Sequence, residues 1–578
     1  MLVVGLAAWS GWQAYAVARS LDDAVDHATT LRAALAAPDA RGDEDLDASA
    51  VAAVELEALR SASDDAAART SGATWSLLTH LPWIGDDAHG VRTTSRVLDD
   101  IARDGLEPLV EVSDRVKEML PHRGGVDLAA VDDLAEPVAA AQAVFADADA
   151  TLRAEDDSDF TDRLADRFAE FRGQVAEADR AMTATSTAMS LLPGMLGADG
   201  PRTTLLVFQN NAEIRATGGL PGAVMSLHAE DGALSIGRQV AGSSLGRTSE
   251  PVLPLTPAER DQYGDILGTY FVDANMTPDV PRAADLMRAR WEAAFPDERL
   301  DAVLLIDTVT LGYVLQENGP VTVDGVTLTG DNVVDELLHG TYLRLPDPAD
   351  QDDFFADVAA KAFAHFVDGA GDGPGTVRAL ARAVAERRAF VHSFHDEEQA
   401  ALAGSPVAGE LVADPDVAAP QVTVTMNDTT GAKMSYFLRY DVDVRATYCT
   451  DGVQGFSAKA RLWSAAPADA ADLPAYVTGA NGRGYVDAGS QLVTVRVMGP
   501  AGGRIKGMTV ASKPTEARRT HQAGRPVAEL YVLLEPGQKV DLAWTMRGGP
   551  GQDGDAALWV TPSVEQGSDA GTVAAVCR

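Results

Sequence analysis

A chain of 578 residues with 46% apolar content is too hydrophobic for a disordered polymer and too long for one compact domain, so two to four domains of ~100–200 residues each are expected. Its 47 Lys and Arg against 86 Asp and Glu give a formal charge of −39, which repels phosphate backbones over ~8 Å at physiological salt and argues against nucleic acid as a partner. Two cysteines exclude a disulfide-rich scaffold and a multi-cysteine zinc module; a single Cys449–Cys577 bridge, a hint of export, and two free buried thiols both fit.

The chain begins with an uncharged run, Leu2 to Ala18 (LVVGLAAWSGWQAYAVA), closed by Arg19. At the lower end of the ~17–25 residues needed to cross a bilayer, it predicts an uncleaved membrane anchor over residues 1–18, with the bulk of the chain extracytoplasmic. The positive flank of a signal anchor is missing, which points to a start upstream of Met1. A buried first helix is the alternative. Residues 19–195 read as a helical bundle or stalk, with an apolar stripe at Phe160, Leu164, Phe168, Phe171, Val175, Ala178 and Met182. Breaks at Pro38–Gly42, Leu81–Gly85 and Pro121–Gly125 divide it into about four helices, and nothing in it suggests chemistry.

Composition changes near Pro193, and residues 196–403 read as an α/β core. Thr203–Phe208 is a predicted buried strand, followed by a polar loop over 209–219. Two further strands, Leu220–Leu227 and Ala233–Val240, form a hairpin about Glu230-Asp231-Gly232. A helix over Pro281–Phe295, a strand over Leu300–Ile306 and a helix over Val309–Glu317 follow, with more helices over 330–340 (Thr329 as N-cap), 349–367 and 376–390. Alternating strands and helices predict an α/β/α layered domain. Residues 404–578 carry short runs at 421–426, 434–444, 455–462, 491–497 and 528–534, the pattern of an all-β, sandwich-like module. The whole is an α+β multidomain protein.

Candidate chemistry lies between Gln209 and Asp396. Asn210, Asn211, Glu213, Arg215, Gly218 and Gly219 follow the first strand, where a rigid sheet can hold ligand groups. Arg215 offers a planar fork for phosphate, the asparagines suit sugar hydroxyls, and the glycines admit close backbone approach. The same residues could instead satisfy a turn, with Glu213 paired to Arg215. In FVDANMTPDVP (271–281), an extended stretch would align Asp273, Asn275, Thr277 and Asp279 to hold a hard cation such as Mg²⁺, although Asp279 equally suits a helix cap. Asp347, Asp350, Asp352 and Asp353 read as the acidic start of a helix. His392, Ser393, His395, Asp396 and Glu397 give only a weak triad or metal signal, without GxSxG or HExxH.

Five segments, NNAEIRATGGLPG (210–222), FVDANMTPDVP (271–281), LDAVLLIDTVTLGYVLQENGPVTVDG (300–325), VHSFHDEEQAAL (391–402) and NDTTGAKMSYFLRY (427–440), together resemble the bacterial domain of unknown function 4012 family. The order of strand, arginine loop, strand and helices is more distantly similar to the LytR-CpsA-Psr family, which transfers glycopolymers from polyprenyl-pyrophosphate carriers to the cell wall. That resemblance implies that Arg215 touches pyrophosphate, with Asp273 or Asp279 catalytic on the Mg²⁺ side, and Asn210, Asn211, Glu213, Gly218, Gly219 and Asn275 around the substrate. The sequence departs from it where arginines are expected, carrying Asp350, Gln351, Asp352, Asp353 and only Lys361, and Pro320 stands in place of a glycine. Two functions follow as expectations: a membrane-anchored cell-envelope protein that binds or transfers a lipid-linked glycan, or a noncatalytic envelope scaffold for protein partners or polysaccharide.

Overall fold

The computed structural model describes residues 2–36, 48–369, 371, 373–479 and 486–577. The break read at Pro38–Gly42 lies outside them. Contacts divide the chain into two compact units, Met1–Leu120 with Val126–Asp199, and Pro121–Gly125 with Gly200–Arg578.

Among the described residues the elements of the first unit are helices: α1 (Leu2–Ala36), α2 (Ala48–Ser71), α3 (Ala73–Leu78), α4 (Gly85–Asp100), α5 (Leu106–Met119), α6 (Leu128–Ala154) and α7 (Asp162–Met195). More helices form than the proline and glycine breaks suggest, because Gly72 separates α2 from α3 and a π turn at Ile101–Gly105 carries α4 into α5. Phe168 and Val175 of the apolar stripe are buried against Val97, Phe145 and Leu152, with Leu164, Phe171, Ala178 and Met182 packed around them. A surface helix gains most of its stability from such a stripe. Ala24 and Leu31 of α1 pack against Ala52, Leu56 and Leu59 of α2. Among the described residues, no helix is long and apolar enough to cross a membrane.

The second unit joins the predicted α/β and β regions in one compact body. Its first sheet has strand order β3-β2-β1-β4 with Ala389–Ser393 at the far edge; β1 is Arg202–Arg215, β2 Gly218–Glu230, β3 Ala233–Ala241 and β4 Ala302–Asp307. Only β1 and β4 run parallel, as a crossover through helix Val280–Ala294 permits. Leu205 and Val207 of β1 face a core holding Val280, Met287 and Trp291, whereas Leu206 and Phe208 face Ala359. Both sheet faces are therefore covered, which explains an apolar run without polar alternation. Helices Thr308–Asn318 and Pro348–Val367 match their predicted spans, capped by Asp307 and Asp347 respectively. The helix read over 376–390 ends at Ala385, and Ala389–Ser393 is an edge strand that its short length hides. The segment over 330–340 is irregular, a π turn at Glu336–Gly340 replacing regular helix.

Beyond Gln421, five- and six-stranded sheets enclose a common core of Val424, Val444, Phe456, Val495, Val532 and Trp544, forming a β-sandwich. Strands 504–510, 518–522, 539–547 and 556–560 add to the five runs legible in sequence. Cys449 and Cys577 are joined as a disulfide across 128 residues. Buried Arg388 binds the two parts of this unit: it donates to Asp307 at 2.7 Å and to the carbonyls of Ser563 and Gly567 at 2.8 and 2.9 Å.

Candidate functional site

The site grows out of the second half of β1. The side chains turn polar after Phe208, yet the backbone stays in the sheet to Arg215, so the predicted loop over 209–219 is instead a continued strand and a tight turn into β2. Register slips between Asn210 and Ile214, and Asn211, Ala212 and Glu213 bulge outward, as happens where a strand must re-aim side chains. Asn210 Oδ1 accepts from the Ala212 N–H at 3.0 Å and holds the bulge. Gly219 fits against it: a Cβ there would lie 2.2 Å from the Asn210 carbonyl carbon and 2.5 Å from the Asn211 nitrogen. Gly218 adopts φ 137°, in the region that favours glycine.

Beneath the bulge lies a neutral polar lattice. Asn275, fully buried, donates to Gln209 Oε1 at 3.0 Å, Thr217 Oγ1 at 2.9 Å and the Gly219 carbonyl at 2.8 Å. Asn211 donates to Asp307 at 3.0 Å and accepts from the Thr308 N–H at 3.3 Å, tying β1 to the start of a helix. These contacts fix backbone and leave neither asparagine facing the cavity described below.

Above the bulge runs a chain of alternating charges. Lys433 Nζ donates to Glu213 Oε2 at 2.8 Å, Arg215 donates to Glu213 Oε1 at 2.9 Å, and Arg215 also donates to Asp273 Oδ1 at 3.0 and 3.3 Å. With a further bond to the Ile214 carbonyl, four of the five guanidinium N–H groups are engaged. Burial penalises the Glu213 carboxylate, but Lys433 and Arg215 outweigh it and hold its pKa well below the usual range. Burial lowers the pKa of Arg215 and Lys433 too, and the paired carboxylates more than reverse this, so both stay charged. Burial pushes Asp273 upward against the pull of Arg215. Asp428 is also raised, by burial and then by the Glu213 charge, while it accepts from Thr430 Oγ1 at 2.5 Å and the Gly431 N–H at 2.6 Å.

This chain of charges lines a cavity of about 630 Å³ between β1, helix Pro348–Val367 and the β-sandwich. Its charged lining comprises four cations, Arg215, Arg247, Lys433 and Arg496, and four carboxylates, Glu213, Asp273, Asp352 and Asp428. Tyr263, Tyr270, Tyr342, Tyr476 and Tyr531 supply aromatic surface. Two buried atoms of lining residues, Arg496 Nη1 and Gln262 Oε1, have no protein partner, one a donor and the other an acceptor. An apolar cleft of about 50 Å³ between Phe208, Leu311, Leu337 and Val358 adjoins it, sharing Asn210, Gly222 and Phe355.

The predicted residues divide accordingly. Asn210, Glu213, Arg215 and Asp273 line the cavity, and Asn210 also donates to Tyr342 Oη. Asn211, Gly218, Gly219 and Asn275 shape the backbone behind it. The extended reading of 271–281 does not hold, because Phe271–Met276 coils into tight turns and sends each side chain to a different partner. Asp273 turns to Arg215, Asn275 to β1 and Thr277 to Gln522, while Asp279 occupies the N-cap position of the next helix. Asp279 is not part of the cavity lining, and among the described residues no three His, Cys, Asp or Glu side chains are placed to share a metal. A Mg²⁺ ion held by Asp273 and Asp279 does not fit this arrangement. The sequence 392–397 forms no triad either: Ser393 Oγ donates to Glu398 at 2.5 Å, and His395 Nε2 lies 2.9 Å from Asp301. Lys433, Asp428 and Tyr476 escaped the sequence reading, though a lone lysine between Ala432 and Met434 is a signal, since lysine is rarely buried unpaired.

No curated protein and no solved structure matches the chain. Residues 199–342, the stretch that carries β1, Arg215, Asp273 and Tyr342, match the family described as Protein of unknown function (DUF4012), and to that family this part of the chain is similar.

Proposed function

We propose that the second unit is a noncatalytic saccharide-binding module of an extracytoplasmic envelope protein, and that the cavity beside β1 receives a neutral segment of polysaccharide. The observation that carries this reading is the charge balance of the lining, four against four, together with tyrosine walls and the unpartnered Arg496 Nη1 and Gln262 Oε1. A sugar ring presents an apolar face to an aromatic side chain and hydroxyls to donors and acceptors, and it brings no charge for the site to neutralise. The Cys449–Cys577 disulfide supports an oxidising compartment.

A second reading, a glycan carrier held through its pyrophosphate as in the LytR-CpsA-Psr family, is favoured by the place of Arg215 in the lining and by the adjoining apolar cleft. Against it, Arg215 retains at most one free N–H, whereas bidentate phosphate recognition takes two. The cleft, at about 50 Å³, holds roughly one or two waters rather than a prenyl chain.

Calorimetric titration with a panel of envelope oligosaccharides, and separately with a short prenyl pyrophosphate, distinguishes the two. Saccharide binding that falls at least tenfold in Tyr476→Ala and Tyr531→Ala, both partly or well exposed, supports the first. Binding of the prenyl pyrophosphate alone, lost in Arg215→Gln, replaces it with the second, and no binding of any saccharide removes it.

A further inference from the structure

The first unit exposes Leu81, Pro82, Trp83 and Ile84 in succession, with Trp83 92% exposed and held at φ 73°. Four adjacent apolar residues facing water, one of them a strained tryptophan, are not what folding alone selects. The base of this loop is firm: Trp75 of α3 is buried and its Nε1 donates to the Ala88 carbonyl in α4 at 2.8 Å. The side chain next door is therefore presented outward by a fixed scaffold.

What covers it is indicated by α1. Val17 is packed with Trp75 and Ala88 in one buried cluster; further along, His27 of α1 lies 2.7 Å from Glu55 of α2, while Thr70 and Ser63 of α2 bond Arg92 and Asp99 of α4 at 2.8 and 3.5 Å, so α1 and α4 each run antiparallel to α2. The two helices thus run in the same direction, and residues 2–16 extend past the cluster on the side of the loop. At ~1.5 Å per residue that extension is about 22 Å of helix. It belongs to the uncharged run Leu2–Ala18, and the loop belongs to a second stretch, Thr70–Gly85, without Asp, Glu, Lys or Arg. Both segments are uncharged and bear tryptophan, and neither carries a Lys or Arg that would recruit anionic lipid.

We propose that Leu81–Ile84 inserts into the headgroup region of a lipid bilayer alongside the first turns of α1, so that the first unit seats on the membrane through two adjacent elements. Tryptophan prefers this interface because its ring is apolar and its N–H remains hydrated. The proposal rests on membrane contact by the run at residues 2–18, and the loop fixes the rotational setting of the unit on the surface, which a single helix could not.

Trp83→Cys in the full chain, labelled with an environment-sensitive fluorophore, gives a unique probe because Cys449 and Cys577 are bonded to each other. Phosphatidylcholine vesicles are expected to float the protein, blue-shift the probe and allow quenching by a spin label near the headgroup. Trp83→Ser with Ile84→Ser, at positions that contribute nothing to a core, is expected to lower vesicle partition roughly tenfold. Flotation with a silent probe overturns the loop proposal alone. Failure to float overturns both the loop and the contact by residues 2–18, and loss of self-association in light scattering by the serine variant, without a vesicle effect, assigns the loop to a second copy of the chain.

Discussion

Lys433 is the most informative residue to remove. The residue is 6% exposed and its ammonium lies 2.8 Å from Glu213, a distance at which two unit charges attract by ~6 kcal/mol at an effective dielectric constant of 20. Desolvation consumes much of that attraction in the intact pair, but Lys433→Met leaves Glu213 buried with Arg215 alone, and Arg215 is shared with Asp273. Removing one partner of a buried pair typically destabilises by ~3–5 kcal/mol, whereas removing both is close to neutral. Lys433→Met is therefore expected to destabilise the second unit by about 3 kcal/mol or more, and Lys433→Met with Glu213→Gln to recover most of it. Urea unfolding of the single and double variants, followed by tyrosine and tryptophan fluorescence, measures the coupling energy directly. A single variant within 1 kcal/mol of the parent, or a double variant no better than the sum of the singles, would refute the buried charge chain and with it the balanced cavity.

Asp279 provides a pH test: burial pushes its pKa up to about 6 from an ordinary 3.8. An acid whose folded pKa is raised contributes stability that is fully present below the unfolded value and lost as pH rises through the folded one. Asp279→Asn is thus expected to stabilise the protein by about 1–3 kcal/mol at pH 7.5 and to change little at pH 3.5, as read from unfolding curves at the two values. Destabilisation at pH 7.5 would show instead an ionised, well-paired carboxylate. Gly219→Ala forces a Cβ onto the Asn210–Asn211 backbone and is expected to lower stability by about 1–3 kcal/mol or more, while Gly222→Ala, whose nearest neighbour lies at 3.6 Å, is tolerated; equal thermal shifts for the two would contradict the bulge.

What the sequence shows of this protein follows from how local its signals are. The buried strand at Thr203–Phe208, the hairpin about Asp231-Gly232 and the helices capped by Asp307 and Asp347 depend on neighbours within a few residues, and they form where composition points. The strand at Ala389–Ser393 was hidden because five residues beside a helical run carry too little periodicity. The polar half of β1 reads as a loop for a different reason. Gln209, Asn211, Glu213 and Arg215 look solvent-facing in any local window, and only partners at Asn275, Asp307, Asp273 and Lys433 make their burial tolerable. Arg215 both lines a cavity and is held by Glu213.

Charge links the site to the chain as a whole. A protein at −39 repels anionic polymers during approach, and a cavity can overcome that only by offering unpaired cations at close range. In this cavity three of the four cations are engaged, because Glu213 occupies both Lys433 and Arg215, Asp273 takes a second share of Arg215, and Arg496 donates to buried Glu529 at 2.7 Å, while Arg247 lies over the Tyr270 ring. An uncharged saccharide does not meet the repulsion outside and asks for no counter-charge inside. A phosphorylated ligand would have to pull Arg215 from two carboxylates, leaving Asp273 without its hydrogen-bonded cation and Glu213 with Lys433 alone, a loss of the order of a few kcal/mol that one remaining N–H does not offset. The same pairing that makes the strand end stable therefore leaves Arg215 at most one N–H for the anionic ligand that an arginine at this position first suggests.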